Sequence, residues 1–326
     1  MTHYAPMIAA LFTLLITTIL LFSKIGKEIQ DIPNQRSLHN APIPRIGGIG
    51  IMAGVLTAWA LMLTSLAWWV VFPLLALIAV SLLDDKRGVP VRKRLLVHGL
   101  AALVLVIGSG LATQNILLAL LALPCVVWMT NLYNFMDGSD GLAGGMTFFG
   151  FTMYGLAALM HGDDTQGMLN FSIGAAALGF LYYNLHPAKV FMGDAGSIPL
   201  GFLAAAMGLW GWEQGHWPGW FPLLVFFPFV ADATVTLVKR MLRRVKITEA
   251  HREHYYQRLV QIGWGHRNVA LFAFALMFSS GISALWGIGH SSLEVLFLFL
   301  AWTAIYTVLM MTLDRNWKIF QSKVNG

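Results

Sequence analysis

Residues 67–94 read AWWVVFPLLALIAVSLLDDKRGVPVRKR, and this stretch decides the fold class. Its first part, 67–83, carries no charged side chain, and two aspartates and five cations follow within 84–94. The hydrocarbon core of a bilayer is about 30 Å thick and needs about 20 mostly apolar residues per helix. The stretch therefore predicts a membrane-spanning helix that ends in a charged loop.

The rest of the chain repeats this pattern. Of its 326 residues, 57% are hydrophobic and only 11% are charged, whereas a soluble domain carries roughly 25% charged residues. The sequence contains eleven apolar stretches of suitable length: 5–23, 46–63, 67–83, 95–110, 116–130, 143–160, 168–185, 198–210, 220–238, 269–288 and 293–312. Because several are short or rich in glycine, we predict one all-α domain over residues 1–326, a polytopic membrane protein of about ten or eleven transmembrane helices.

Positive charge is confined to alternate loops. All 21 Lys and Arg lie in segments 24–45, 84–94, 186–197 and 239–267 or in the tail after residue 312. Lys and Arg stay on the cytoplasmic side of short loops, so we predict an outer N-terminus, a cytoplasmic C-terminus and basic loops that touch membrane lipid. The formal net charge of +6 then records topology, and we predict no nucleic-acid partner.

Two neighbouring carboxylates, Asp84 and Asp85, follow the apolar stretch 67–83. Adjacent carboxylates at a membrane boundary repel each other unless a cation lies near them. The basic residues after them suit an anionic substrate. The alternative is a charge cluster at a helix end that stops the span and sets topology.

The densest group of polar residues is 131–145, NLYNFMDGSDGLAGG. It places Asn131, Asn134, Asp137 and Asp140 at a spacing of three, on one face of a helix end and its following turn. Oxygen ligands of this kind suit Mg²⁺ or Mn²⁺, and the glycines let the backbone approach a phosphate. The alternative is a polar turn between two spans.

Two further aspartates stand apart from these motifs. Asp194 lies in FMGDAGS, residues 191–197, at a helix start, where it is either an N-terminal cap or a metal ligand. Asp232 lies inside an apolar stretch. An ionisable group at that depth costs a few kcal/mol and usually faces a polar cavity.

The longest basic loop, 239–258, carries His251 and His254. Three residues apart, the two histidines share a helical face, and together with the cations they form a surface that attracts phosphate. A zinc site would need a third nitrogen or sulfur ligand, and none is close in the sequence.

Taken together, these motifs resemble those of the polyprenyl-phosphate N-acetylhexosamine-1-phosphate transferases, over about 31–258. Asp84-Asp85, 131–143, 191–197 and 251–254 each match a family motif in the same order and on the same side of the membrane, and 31–48 is a weaker fifth match. The resemblance implies a bacterial inner-membrane phosphotransferase with an active-site cleft open to the cytoplasm. It implies transfer of a sugar 1-phosphate from a UDP-N-acetylamino sugar to undecaprenyl phosphate, with release of UMP.

The resemblance also implies roles for individual residues. Asp194 would bind Mg²⁺, with Asp85 helping to hold the metal, and Asp84 would act as a base or position the lipid phosphate. The remaining residues are implied to be catalytic or to contact substrate. Asn131, Asn134 and the catalytic Asp137 would lie in the polar cradle, Asp140 and Phe191 at the uracil, and the catalytic His251 and His254 at the pyrophosphate or sugar. Arg92 or Arg94 would bind phosphate, and Arg45 and Asp232 would contact substrate in roles left open.

Two alternatives remain at this point. The branch that transfers phospho-N-acetylmuramoyl-pentapeptide has consecutive histidines, whereas Arg252 and Glu253 separate them here. This favours GlcNAc or a deoxy relative as the sugar, and hence O-antigen (lipopolysaccharide) or another surface polysaccharide as the product, over peptidoglycan. An ion-coupled transporter is the alternative from another class. Carriers place their binding carboxylates near the midplane of the membrane, whereas those of this chain crowd at one face. The family is often dimeric, which leaves a homodimer open.

Overall fold

The computed structural model describes residues 2–33, 38–39, 41–246 and 251–325. The fifteen α-helices in these ranges are α1 (Ala5–Leu21), α2 (Lys24–Glu28), α3 (Gly47–Ala60), α4 (Trp68–Arg87), α5 (Val91–Gly108), α6 (Leu111–Gln114), α7 (Ile116–Phe135), α8 (Leu142–Met160), α9 (Asp164–Asn184), α10 (Asp194–Glu213), α11 (Phe221–Val225), α12 (Phe227–Leu242), α13 (Tyr255–Leu259), α14 (Gly265–Gly287) and α15 (Ser292–Asn325). Short 3-10 helices span Thr2–Tyr4 and Leu63–Ser65, and a π-helical turn, Val260–Trp264, joins α13 to α14. Two short antiparallel strands, β1 (Gln30–Asp31) and β2 (Ile43–Pro44), pair Gln30 with Pro44 and Asp31 with Ile43.

The predicted all-α membrane architecture is confirmed. Each of the eleven predicted stretches falls on a helix or a broken helix pair. Seven helices within the described ranges are long and apolar enough to cross a membrane. The other predicted spans are also helical, but α3 is short, α5 begins with three cations, α9 carries polar side chains, and a break at Phe226 separates α11 from α12. The total of ten or eleven spans therefore stays a prediction.

Burial separates central helices from peripheral ones. Within their apolar segments, α8 is 72% buried and α10 is 78% buried, whereas α1 is 22% and α15 is 17% buried. The central α10 packs on α3, α4 and α7, and α8 packs on α9 and α14. The large apolar side chains that α1, α4, α7 and α15 expose form the kind of outer surface that suits lipid.

A close glycine contact fixes the start of α10. A Cβ atom on Gly48 would lie 2.1 Å from the backbone nitrogen of Gly196, so the backbones of α3 and α10 touch. The amides of Gly47 and Gly48 donate to the carbonyls of Phe191 and Met192 at 2.9 and 2.8 Å. Because the first amides of a helix lack intrahelical partners, α3 holds the segment that leads into α10.

Candidate active site

One large cleft, of about 710 Å³, brings together most of the predicted site residues. It lies among the ends of α5, α7 and α10, the α7–α8 loop, and the segment that contains the two predicted histidines. The predicted residues that line it are Arg45, Arg94, Asn131, Asn134, Asp137, Asp140, Phe191, Asp194, His251 and His254. Residues as far apart in the chain as Arg45 and His254 thus share one cavity, as the common sidedness of the motifs predicts.

The other four predicted residues do not line the cleft. Asp84 and Asp85 lie behind it and contact cleft residues through hydrogen bonds. Arg92 is exposed and lies outside the cleft, so its predicted phosphate contact finds no support in this arrangement. Asp232 is buried and borders a separate, mostly apolar pocket of about 200 Å³. The substrate contact that was predicted for it stays a prediction.

Arg94 connects the Asp84-Asp85 motif to the motif at 191–197. Its Nη1 atom donates to Asp84 Oδ2 and, at 2.9 Å, to Asp194 Oδ2. The other oxygen of Asp194 accepts from Asn134 Nδ2 at 2.8 Å, and the same amide group reaches Ser197 Oγ at 2.9 Å. Charge-assisted hydrogen bonds of this kind fix side-chain geometry, so Asp194 is held from both sides at the cleft wall.

Asp85 performs a different task from its neighbour. Its Oδ1 accepts from the backbone amide of Asp194 at 3.1 Å, and its Oδ2 accepts from that of Ala195 at 2.8 Å. These are the first amides of α10, which have no partner within the helix. The carboxylate therefore caps α10 and places Asp194, and its predicted role as a metal ligand stays a prediction.

Asp137 offers the least engaged carboxylate of the cleft. Among the residues that the structure describes, no hydrogen bond to its side chain is present, although its backbone amide donates to the Asn134 carbonyl. Burial raises the pKa of Asp137 well above its usual value, and the negative charge of nearby Asp194 raises it further. A cation in the cleft would relieve both effects.

The two predicted histidines lie side by side in the lining of the cleft. The ring centroids of His251 and His254 are 4.9 Å apart, and His254 stacks between Phe135 at 6.2 Å and Tyr256 at 5.9 Å. Burial lowers the pKa of His251 to about 4, and His254 and the Arg240 cation disfavour its charged form further. His251 is therefore neutral at pH 7 and acts as a hydrogen-bonding group.

Two histidines that the sequence analysis did not select surround Asp140. His186 Nδ1 lies 2.7 Å from Asp140 Oδ2, and the amide of Ala188 donates to the same oxygen at 3.2 Å. His266 Nδ1 lies 2.9 Å from Ser139 Oγ, and its ring stacks on His186 at 5.6 Å. His186 stands five residues before Phe191. Its closeness to the motif at 191–197 is the sequence feature that could have identified it as a candidate site residue.

Phe191 and Arg45 belong to a second wall of the cleft. The backbone amide of Phe191 donates to Pro44 of β2 at 2.8 Å, and the His39 ring meets the Phe191 ring edge-on at 5.0 Å. Arg45 donates to Asp31 of β1 at 2.6 Å. The weaker motif at 31–48 therefore lies beside the motif at 191–197. Arg36, within the same motif, lies outside the described residues.

One arm of the cleft is apolar. Its lining includes Val91 and Leu95 of α5 and Pro124, Val127 and Trp128 of α7. Val91 and Leu95 are also exposed, at 42% and 43%. The polar part of the cleft thus continues between α5 and α7 towards the surface that suits lipid.

The cleft fits an oxygen-liganded cation better than a closed metal cage. Within the described part of the chain, no group of three or more His, Cys, Asp or Glu side chains is arranged to enclose a metal ion. Mg²⁺ usually takes only one or two protein carboxylates and completes its shell with water and substrate phosphates. Asp194 and the unengaged Asp137 supply such a donor set, whereas structural zinc needs four closed ligands.

Comparison with known proteins adds independent information. The family model described as glycosyl transferase family 4 matches residues 67–211. A probable undecaprenyl-phosphate N-acetylglucosaminyl 1-phosphate transferase of Bacillus subtilis is 30% identical over 303 residues, which cover 85% of this chain and 84% of that protein. A decaprenyl-phosphate N-acetylglucosaminephosphotransferase of Mycobacterium tuberculosis is 30% identical over 288 residues, 74% of this chain and 71% of that protein. A phospho-N-acetylmuramoyl-pentapeptide-transferase of Staphylococcus saprophyticus is 33% identical over 166 residues, 49% of each chain.

The matched region of the family model runs from α4 to α10 and includes the carboxylates at the ends of both helices. The similarity to the Bacillus subtilis protein extends over most of this chain. The family resemblance seen in the motifs is thereby confirmed, and the transporter alternative is wrong, since these relatives are named as transferases. The chain belongs to the polyprenyl-phosphate N-acetylhexosamine-1-phosphate transferases of glycosyl transferase family 4, a family of enzymes, and is a multi-pass membrane protein.

Proposed function

We propose that the protein transfers N-acetylhexosamine 1-phosphate from a UDP-sugar to undecaprenyl phosphate and releases UMP, at the cytoplasmic face of a bacterial inner membrane. One observation carries this proposal: a single cleft joins a polar chamber lined by Asp137 and Asp194 to an apolar arm between α5 and α7. The arm suits a prenyl chain, and the polar chamber suits the phosphates of the two substrates. The predicted topology, with an outer N-terminus, puts this cleft where a cytosolic nucleotide meets a membrane lipid.

In the proposed reaction, an oxygen of the lipid phosphate attacks the β-phosphorus of the UDP-sugar. A new P–O bond forms to the lipid, the bond between the β-phosphorus and the bridging oxygen breaks, and UMP leaves with the electron pair. A lipid phosphate is already anionic at neutral pH, so no base needs to remove a proton. Alignment and charge neutralisation are then the main catalytic demands.

The residues of the cleft are suited to those demands. The hydrogen bonds from Arg94 and Asn134 hold Asp194 in place before substrate arrives, which avoids reorganisation during the reaction. Mg²⁺ bound by Asp194 and Asp137 would neutralise phosphate charge and polarise the phosphoryl oxygens. The neutral His251 can donate a hydrogen bond to a phosphate or sugar oxygen without adding a fixed charge.

The relatives support GlcNAc as the sugar. The Bacillus subtilis and Mycobacterium tuberculosis proteins, which are similar over most of this chain, are both named for N-acetylglucosamine. The similarity to the pentapeptide transferase covers only 49% of the chain. We therefore propose UDP-GlcNAc or a deoxy relative as the donor, with the lipid-linked sugar initiating O-antigen or another surface polysaccharide.

UMP release by purified protein tests the proposal. The assay contains undecaprenyl phosphate, Mg²⁺ and, in parallel, UDP-GlcNAc, other UDP-N-acetylamino sugars and UDP-N-acetylmuramoyl-pentapeptide. We expect UMP with UDP-GlcNAc or its deoxy relative, dependent on both lipid and metal. If only UDP-N-acetylmuramoyl-pentapeptide yields UMP, the protein belongs to the alternative branch. If none of the donors yields UMP, the proposal is overturned.

A matched pair of variants locates the chemistry. Asp194→Asn should retain membrane insertion but lose about two orders of magnitude or more in turnover, because it removes a preorganised charge from the cleft. Asp164→Asn makes the same change at an exposed position in the first turn of α9 and should behave like the wild type. Equal activity of the two variants would contradict the placement of the site.

A further inference from the structure

We propose that Asp232 is a positioning residue that fixes the segment carrying His251 and His254 without touching substrate. The inference rests on the proposed function, since its importance for turnover depends on the two histidines acting in the cleft. It concerns a residue that sequence reasoning assigned to substrate and that the fold turns away from the cleft.

Both carboxylate oxygens of Asp232 are taken up by the start of α13. Oδ1 accepts from the backbone amide of Tyr255 at 2.9 Å, and Oδ2 accepts from the amide of Tyr256 at 2.9 Å. Asp232 itself lies on α12, 22 residues before His254, and is only 6% exposed. One buried side chain therefore ties α12 to the turn that follows the histidines.

These contacts satisfy a demand that α13 cannot meet by itself. The first amides of a helix have no intrahelical partner, and a negative charge near them interacts favourably with the helix dipole. With only five residues, α13 has little internal hydrogen bonding to hold its position. The Asp232 carboxylate supplies both missing acceptors and so fixes where the helix, and the histidine before it, begins.

Asp232 also sets the hydrogen position on His254. The Nδ1 atom of His254 lies 3.3 Å from Asp232 Oδ1. A carboxylate accepts but does not donate, so Nδ1 is the donor in this contact. The aromatic contacts of His254 with Phe135 and Tyr256 fix the plane of the ring. Asp232 therefore holds His254 in place and favours the tautomer that carries its hydrogen on Nδ1.

The surroundings of Asp232 separate this role from a substrate contact. The pocket that it borders is mostly apolar and is lined by Phe229, Leu259 and Tyr306 among others. Thr236, one turn further along α12, donates to Oδ1 at 3.2 Å. Every contact of Asp232 in the described residues thus runs to α12, His254 or the start of α13.

Kinetics of two variants test the proposal. Asp232→Asn keeps one acceptor oxygen but turns an NH₂ group towards a backbone N–H, so the cap is broken. We expect kcat to fall by about tenfold or more while KM for the UDP-sugar changes less, since Asp140 and Phe191, the residues implied to contact the uracil, form no hydrogen bond with Asp232 within the described ranges. Thr236→Val is the control, because it removes a hydrogen bond to the same oxygen but leaves the cap, and it should keep wild-type kinetics.

Amide exchange, read at single-residue resolution, supplies a measurement independent of turnover. In the wild type, the Tyr255 and Tyr256 amides should exchange as slowly as interior helical amides, and in Asp232→Asn about tenfold faster or more. Wild-type amides that exchange like a free helix end would overturn the inference, as would wild-type kcat in Asp232→Asn. Protected amides in a wild-type protein that releases no UMP would instead contradict the proposed function and still support the cap.

Discussion

Glu253 provides the sharpest test of how the histidine segment is held. It lies between the two histidines, and its carboxylate forms ion pairs with Arg240 and Arg243. Arg240 is nearly buried, with 3% of its side chain exposed, and also donates to the Lys246 carbonyl at 3.0 Å. Glu253→Gln would keep the shape of the side chain but leave the Arg240 guanidinium without its counter-charge.

The size of the effect follows from burial. A hydrogen bond to a charged group contributes about 1.5–3 kcal/mol, and the pair with Arg240 falls at the lower end because 29% of the Glu253 side chain is exposed. The pair with Arg243 adds about 0.5 kcal/mol or less, since 52% of that arginine side chain is exposed. A loss of about 2 kcal/mol lowers the equilibrium ratio between molecules whose histidine segment is held in place and molecules whose segment is released by about 30-fold.

We therefore expect Glu253→Gln to lower kcat by roughly threefold to 30-fold, with a smaller change in KM for the UDP-sugar. Glu28→Gln is the matched control, because Glu28 is exposed at the end of α2. UMP release and thermal unfolding in the same detergent are measured for both variants. Wild-type turnover and melting temperature in Glu253→Gln would refute the view that this ion-pair group holds the segment.

The same carboxylate predicts a pH dependence of stability. Burial alone would raise the pKa of Glu253, but Arg243 and Arg240 outweigh it and hold the pKa below the usual 4.5. A group with a lowered folded pKa stabilises the protein fully above its unfolded pKa, and that contribution is lost as the pH falls through the lower, folded pKa. The difference in melting temperature between wild type and Glu253→Gln should therefore be constant above about pH 4.5 and shrink below it.

Other substitutions test the remaining parts of the structure. Arg94→Ala should lower turnover by about tenfold or more, because it removes the bridge that holds Asp194, whereas the exposed Arg92→Ala should act like the wild type in the UMP assay. Asp85→Asn should weaken the cap of α10 by about 1 kcal/mol, seen as faster amide exchange at its first residues; unchanged exchange would exclude the cap. Gly48→Ala should lower the melting temperature, because its Cβ would meet backbone at 2.1 Å, while Gly99→Ala, with no atom within 4 Å, should not.

The sequence alone was sufficient for the membrane fold and for most of the cleft. The bilayer constrains which residue types occur in each stretch of the chain: spans are apolar, and Lys and Arg stay on one side. These constraints do not depend on how the helices pack against one another. Asn134, Asp137 and Asp194 could be selected because hard oxygen ligands at fixed spacing have few other uses at a membrane boundary. These inferences needed no knowledge of which helices touch.

The residues that were missed or misplaced depend on tertiary contacts. His186 and His266 lie far apart in the chain and meet only because the α9–α10 loop and the start of α14 approach Asp140. Arg92 and Arg94 are equivalent by sequence pattern, but only Arg94 faces Asp84 and Asp194 when α5 packs on α4. A one-dimensional pattern cannot distinguish such positions.

The acidic residues illustrate how the fold divides one residue type between two tasks. Asp85 and Asp232 each direct two carboxylate oxygens at the first backbone amides of a helix, α10 and α13 respectively. Asp194 is held by side chains and Asp137 has no hydrogen bond from the described residues, so both can meet a ligand in the cleft. Each capped helix begins at or next to a residue of the proposed chemistry, since α10 starts at Asp194 and α13 directly follows His254. Two carboxylates outside the lining of the cleft thus place residues on two of its sides, which explains why Asp85 and Asp232 should still control its activity.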